Sequence, residues 1–320
     1  MEIKTKHSLI KDSSIMELMN YYDLPKINNC EFLTRGLNDS YLITTRRDNY
    51  IFRIYRHNWR TENDILFELG FLCHLKEYGQ HVATPIKTKD DAWLINIDAP
   101  EGIRYGVLFT YAKGQRPEIN EEDCLLMGKS LGLLHNCSDT FKHDNDRSFS
   151  LNFDHLLNEP LSVISPIIHN IFGEEQVQFL EHTTTNIINE LKNRNLDYGI
   201  CHGDFHNFNM HLSNRDLEVF DFDCCGYGYR AYDIAVFWWN LKSNYPQLEE
   251  DCWKAFLKGY RSQRSLSEED MKSLPLFVTA RRIWLVGTMI NNDDVWGRNW
   301  INQSNLTNFL KDLKKDIGTF

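Results

Sequence analysis

Across the first 111 residues apolar positions fall in short alternating runs separated by turns rich in Asn, Asp and Gly, the pattern of strands with one face buried. A helix is predicted over 12–22, capped by Asp12 or Ser13. Strands at 31–35, 41–45 and 50–55, joined by turns at 36–40 and near 47–49, predict a three-strand meander. A longer helix follows. Thr61 can cap it with Asp64 three residues on, the apolar set Ile65, Leu66, Leu69, Leu72 and Leu75 has helical spacing, and Gly79 ends it. Two more strands are expected at 92–97 and 105–111.

After Tyr111 the character changes. The stretch 112–117 reads as a linker. Beyond it the pattern is mainly helical. An Asn120-capped helix runs to about His135, and others are expected near 160–170, 174–193, 231–242, 248–260, 270–290 and 304–316. Short strands at 198–201 and 217–222 interrupt them. The outline is α+β in two parts: 1–111, a small antiparallel-sheet lobe with one long helix, and 112–320, a larger and mainly helical lobe.

Composition narrows the function classes. The 320 residues are 42% apolar and 25% charged, which is ordinary for a globular protein. The longest apolar run, Ile234-Ala235-Val236-Phe237-Trp238-Trp239, is far short of the roughly 20 residues of a membrane span. Residues 1–10 are mixed and charged, without the apolar stretch of a secretion signal. A cytoplasmic protein with no membrane partner is therefore expected. A net charge of −10 argues against a nucleic-acid partner, which needs a basic face. Eight scattered cysteines with no Cys-x-x-Cys read as reduced thiols.

The chemistry concentrates in Cys201-His202-Gly203-Asp204-Phe205-His206-Asn207-Phe208-Asn209, set between two strand signals, with Asp221-Phe222-Asp223 at the end of the second. An Asp, an Asn five residues later and a further Asp form a set of hard oxygen ligands suited to Mg²⁺ and a nucleoside triphosphate. Asn209 and Asp221 would hold the metal. Asp204 would accept the proton of an attacking hydroxyl. A zinc reading of His202, His206, His211, Cys201, Cys224 and Cys225 is weaker, because no pair has the usual ligand spacing on both sides of a loop.

His202-Gly203-Asp204-x-x-x-x-Asn209, then Asp221-Phe222-Asp223, then Ala231-Tyr232-Asp233-Ile234-Ala235, resembles the aminoglycoside phosphotransferase and choline kinase superfamily, along nearly the whole chain. The segment Arg281-Arg282-Ile283-Trp284-Leu285-Val286-Gly287, with Trp296-Gly297 beyond it, is similar to the branch of homoserine kinase type II and the bacterial stress-response kinase A. The resemblance implies a bilobal protein-kinase-like fold, ATP between the lobes, and transfer of its γ-phosphate to a hydroxyl of a small molecule: an amino acid, amino alcohol, sugar or aminoglycoside-like compound. It also implies roles upstream. Arg53 stands where a cation, usually Lys, grips the α- and β-phosphates. Glu68 is its acidic partner, and the strand ending in Phe109, Thr110 and Tyr111 meets the adenine. Gly36 and Asn38 lie in the turn that covers the phosphates, although that turn has a single glycine and no Gly-x-Gly-x-x-Gly. His206 and Asp223 are candidates for substrate contact or for bracing. Trp238 and Trp284 are candidates for an aromatic cage around a cationic acceptor, or for core packing. Two other functions remain open at this point: a protein Ser/Thr kinase of the stress-response type, and a non-catalytic nucleotide-binding module.

Overall fold

Alternation builds the sheet. In the computed structural model, which describes residues 4–318, β1 (Ile27–Arg35), β2 (Asp39–Thr45) and β3 (Asn49–Ile54) form the expected antiparallel meander. Residues 1–3 and 319–320, at the outer ends of the stretches 1–111 and 112–320, lie outside the described residues. Along β2 every second residue, Asp39, Tyr41, Ile43 and Thr45, is buried. With β4 (Pro85–Ile86), β5 (Ile95–Ala99) and β6 (Gly102–Thr110) the sheet has the order β1-β2-β3-β6-β4, and β5 also pairs with β6. The helix α1 (Asp12–Leu18) and the 3-10 turn Met19–Tyr21 lay Ile15 and Met19 on this sheet, against Tyr41, Ile43, Phe52 and Leu108.

The expected strand at 92–97 begins only at Ile95. A tight turn intervenes, with Thr88 N–H donating to Ala92 O at 2.8 Å and Asp91 at φ 63°. The long helix is α2 (Glu62–Glu77), with the full reciprocal capping box between Thr61 and Asp64. The Asp64 carboxylate also accepts from the backbone N–H and the hydroxyl of Ser148.

Contacts divide the chain into two units. The first runs through Gly114 and also takes Phe141–Ser148 and Glu218–Asp223. The second comprises Gln115–Thr140, Phe149–Leu217 and the chain from Cys224 onward. In the second unit lie α3 (Glu121–Ser138), α4 (Glu159–Phe172), α5 (Glu174–Leu191), α6 (Arg230–Asn244), α7 (Glu249–Arg261), α8 (Glu268–Asn291), α9 (Asp293–Trp296) and α10 (Gln303–Ile317). The strand β7 (Tyr198–Cys201) precedes the Asp204 loop; β8 (Met210–Ser213) and β9 (Asp216–Val219) form a hairpin after it; β10 (Gly226–Tyr229) returns to pair with β7. No described helix is long and apolar enough to cross a membrane.

One expectation fails at β9. The predicted strand at 217–222 stops at Val219, Asp221 turns to φ 64°, and Phe222–Cys224 form a 3-10 turn. Asp221 and Asp223 therefore do not share one face of an extended strand.

Helix α3 is held by direct backbone contact with α7. A Cβ on Gly128 would fall 1.9 Å from the carbonyl oxygen of Phe256, and one on Gly259 would fall 2.1 Å from that of Leu125. The two glycines let the helices touch where any side chain would force them apart. This contact matters for the site because α3 carries His135. We expect Gly128→Ala to lose about 1–3 kcal/mol of stability through overpacking, read from urea denaturation. An unchanged midpoint would show that the helices can separate there without cost.

Candidate functional site

The loop after β7 is tied down before it carries any reactive group. Asp233, on the first turn of α6, is fully buried, and its carboxylate accepts the backbone N–H of His202 at 2.6 Å and of Gly203 at 2.7 Å. His135 Nε2 meets the same carboxylate at 3.0 Å, while its Nδ1 lies 2.9 Å from the Tyr260 hydroxyl. Burial lowers the His135 pKa, which keeps the imidazole neutral, with Nε2 as the donor to Asp233 and Nδ1 accepting from Tyr260. Gly203 stands at φ 83°, and a Cβ there would lie 2.3 Å from Cys224 O, so the motif needs glycine at this position. Farther along, the buried Asn207 accepts from Asn240 Nδ2 at 3.0 Å.

Asp204 stands within a set of four side chains of the second unit. Asn209 Nδ2 donates to its backbone oxygen at 2.9 Å and to Oδ2 at 3.0 Å. That orientation turns the Asn209 amide oxygen away from Asp204. His206 Nδ1 accepts the Phe208 N–H at 3.3 Å, which assigns the ring proton to Nε2, 3.2 Å from Asp204 Oδ1. Arg281 Nη2 donates to the same Oδ1. Burial would raise the Asp204 pKa, but the Arg281 charge and the His206 contact prevail and hold it far below the usual carboxylate range. Arg281 is itself buried, with its guanidinium 5.1 Å from the Trp239 ring and 4.7 Å from that of Trp284.

Arg53, Glu68 and Asp221 come together in the first unit. Arg53 donates through Nη1 to Glu68 Oε1 at 2.8 Å and through Nη2 to Asp221 Oδ1 at 3.1 Å. Its guanidinium lies 5.0 Å from the Phe109 ring. The Tyr55 hydroxyl donates to the other Glu68 oxygen at 2.9 Å. Burial alone would lower the Arg53 pKa; Asp221 and then Glu68 outweigh it and push it up. Burial raises that of Glu68, with Arg53 opposing. Asp223 accepts from Trp59 Nε1 at 2.8 Å and from Arg60 Nε and Nη2 at 3.2 Å each. Arg147 donates to the backbone oxygens of Asp223 and Phe222. Both Asp223 oxygens are thus engaged by protein donors that fix the Asp221 segment, and bracing describes it better than substrate contact.

The remaining candidates are placed as follows. Gly36 N–H donates to Asn38 O at 3.0 Å, and the Asn38 side-chain oxygen accepts the Arg56 N–H. Thr110 N–H donates to Thr84 O, and Thr110 and Tyr111 line a recess of about 430 Å³ with Lys76 and Glu218. Trp238 stacks on Trp253 at 4.7 Å, with Lys242 4.8 Å from its ring, and its N–H goes to Glu249. Trp284 gives its N–H to His155 at 3.1 Å, and its ring faces Arg281. Neither indole is an empty cage wall: Trp238 is covered by Trp253 and Lys242, and the cation beside Trp284 is the chain's own.

Among the described residues the one cluster with metal-ligating potential is His135, Cys201 and Asp233, all buried. Its Asp and His are already bound to each other, and burial pushes the Cys201 thiol up, away from the thiolate that zinc requires. Reading the sequence missed Arg281 as the partner of Asp204. The signal was present, since a charged residue on the apolar face of α8 must find a counter-charge.

Removing the brace should loosen the loop before it affects anything else. Asp233→Ala leaves two buried N–H groups and His135 without an acceptor. We expect a loss of about 3 kcal/mol in urea denaturation, with amide exchange at His202 and Gly203 accelerating beyond the global change. Unchanged exchange at those two amides would remove Asp233 from this role.

The profile of the phosphotransferase enzyme family matches residues 30–266. An uncharacterized protein of Deinococcus radiodurans is 36% identical over 262 residues, covering 80% of this chain and 75% of the other. A homoserine kinase of Agrobacterium fabrum is 23% identical over 275 residues, covering 83% and 81%. The structure of the amicoumacin kinase hAmiN in complex with AMP-PNP, Ca²⁺ and Ami superposes with a TM-score of 0.78 at 19% identity, covering 96% of this chain and 94% of that one, and shows that the fold is kinase-like and α+β. By the length of the family match and the identity to its relatives, the chain belongs to the phosphotransferase enzyme family and is an enzyme of that class.

Proposed function

We propose that this enzyme transfers the γ-phosphate of ATP, with Mg²⁺, to a hydroxyl of a small molecule in the cytoplasm. The observation that carries the reading is the setting of Asp204: fixed by Asn209 on one oxygen and met on the other by His206 and by Arg281, whose charge lowers its pKa. A carboxylate held below the usual range is a weak base toward an unreacted alcohol. Its work is to accept the hydroxyl hydrogen bond, aim the oxygen, and take the proton late, when phosphoryl transfer has made that proton acidic. A loose transition state, in which positioning dominates, tolerates this.

Each proposed ligand, taken by itself, suits a hard cation. Asn209 offers an amide oxygen turned away from Asp204, and Asp221 offers a half-exposed carboxylate. In the proposal Asn209 and Asp221 hold Mg²⁺, which when bound neutralises triphosphate charge. Arg53, steadied by Glu68, holds α- and β-phosphate oxygens. The turn at Gly36 and Asn38 covers the phosphates, and the backbone at Phe109, Thr110 and Tyr111 meets the adenine. The eight free cysteines agree with a reducing compartment.

The reading is tested by coupled ADP release over amino acids, amino alcohols, sugars and aminocyclitols. We expect Asp204→Ala to lower kcat at least about 1,000-fold on the accepted compound while the Kd for ATP changes less than about threefold. Near-normal turnover in that variant would overturn the assignment.

The pH profile supplies a second check. A depressed carboxylate pKa means that Asp204 stays charged as pH falls, so the wild-type kcat profile has no acid limb from it above about pH 4. Arg281→Gln removes the main charge opposing burial, so the Asp204 pKa rises and an acid limb moves up above about pH 4. Coincident acid limbs in wild type and variant would show that Arg281 does not set the ionisation.

A further inference from the structure

Arg281 has more donors than the protein has acceptors for. Its Nη2 goes to Asp204, while Nε and Nη1 are buried with no partner among the described residues. The Tyr232 hydroxyl is buried against the same guanidinium, to which it can offer a lone pair while keeping its own O–H to give. The indole N–H of Trp239, whose ring the guanidinium faces at 5.1 Å, is buried with no partner among the described residues. Two helices, α6 and α8, therefore bring Nε and Nη1 of Arg281, the Trp239 indole N–H and the Tyr232 hydroxyl together around the guanidinium that meets Asp204. Buried donors left unpaired in a native fold take their acceptors from bound water or from a ligand that replaces it.

The chemistry of that ligand is restricted from two sides. A group that only accepts fits this donor set, and a carboxylate has two oxygens with about four acceptor sites and no donor. An ammonium group brings only donors and a second positive charge, and the indole faces that would attract it already hold Arg281. The position points to the acceptor rather than to the nucleotide. Arg281 engages Oδ1 of Asp204, whereas Asn209, the proposed metal ligand, engages Oδ2.

We propose that Arg281, Tyr232 and Trp239 bind a carboxylate on the phosphate acceptor, so that the compound phosphorylated is a hydroxy acid and not a free amino alcohol or aminoglycoside. This rests on the reading of Asp204 as the group that orients the acceptor hydroxyl. The three side chains set specificity, and Arg281 in addition positions Asp204 through its hydrogen bond to Oδ1.

The experiment uses matched acceptors that differ only in the carboxylate: L-serine against 2-aminoethanol, L-homoserine against 3-aminopropan-1-ol, and L-threonine against 1-aminopropan-2-ol. ADP release is measured with ATP and Mg²⁺, and the melting temperature with each compound alone. We expect at least one acid to exceed its partner about 50-fold in kcat/KM, because a buried site built for an anion rejects the compound that lacks it. Tyr232→Phe and Trp239→Phe should each raise the KM for that acid about tenfold with kcat nearly unchanged. A structural role would instead lower turnover of the acid and of its matched amine alike. Preference for the amine members, an equal fall of kcat on both members of a pair, or an absence of binding and turnover with all three acids overturns the inference. Failure of the functional reading looks different: wild type and Asp204→Ala would then release ADP equally with every acceptor screened.

Discussion

The site depends on one buried carboxylate that takes no part in the proposed chemistry. Asp233 gathers the N–H groups of His202 and Gly203 and the Nε2 of His135, and so fixes the loop from which Asp204 projects. The loop cannot supply these acceptors itself, because it leaves β7 and turns through a left-handed glycine. Three helices share the task. Helix α6 provides Asp233, α3 provides His135, and α7 provides Tyr260 and the glycine contact that sets the position of α3. The buried polar cluster is satisfied member by member, which is the condition under which such a network fixes a structure instead of weakening it.

Local features of the fold were legible. Thr61 with Asp64, and Asn120, cap the helices that their spacing predicts, and the meander follows its alternation, because each is decided within a few residues. The approach of Asn209 to Asp204 was equally local, five residues apart on one turn. The ion pair of Arg53 with Glu68 could be expected only through the family resemblance, since strand and helix patterns say which face is buried and not which charges meet there. Partners brought from far along the chain were not legible. Arg281 reaches Asp204 across 77 positions, and Trp59 and Arg60 reach Asp223 across more than 160. A charge on an apolar helix face announces that a counter-charge exists, but tertiary packing selects it.

The turn at Asp221 shows the same limit in backbone terms. Alternation predicted an extended segment, yet the chain breaks from it at φ 64°. Asp tolerates that region better than most side chains do. What holds it there is remote: Arg147 on the backbone oxygens, Trp59 and Arg60 on Asp223, and Arg53 on Asp221 itself. Asp223, a candidate for substrate contact or for bracing, is held by Trp59 and Arg60 and anchors the segment that carries Asp221.

The two arginines also divide the electrostatics in a way the net charge of −10 does not suggest. Each buried guanidinium answers a carboxylate proposed to meet a reacting or metal-bound group: Arg53 with Asp221, and Arg281 with Asp204. They differ in how much of their donor capacity is used. Arg53 donates through two nitrogens, to Glu68 and to Asp221. Arg281 gives Nη2 to Asp204, and around it lie the faces of Trp239 and Trp284 and the Tyr232 hydroxyl. The same guanidinium that lowers the proton affinity of Asp204 therefore remains able to bind an anion through its other edges.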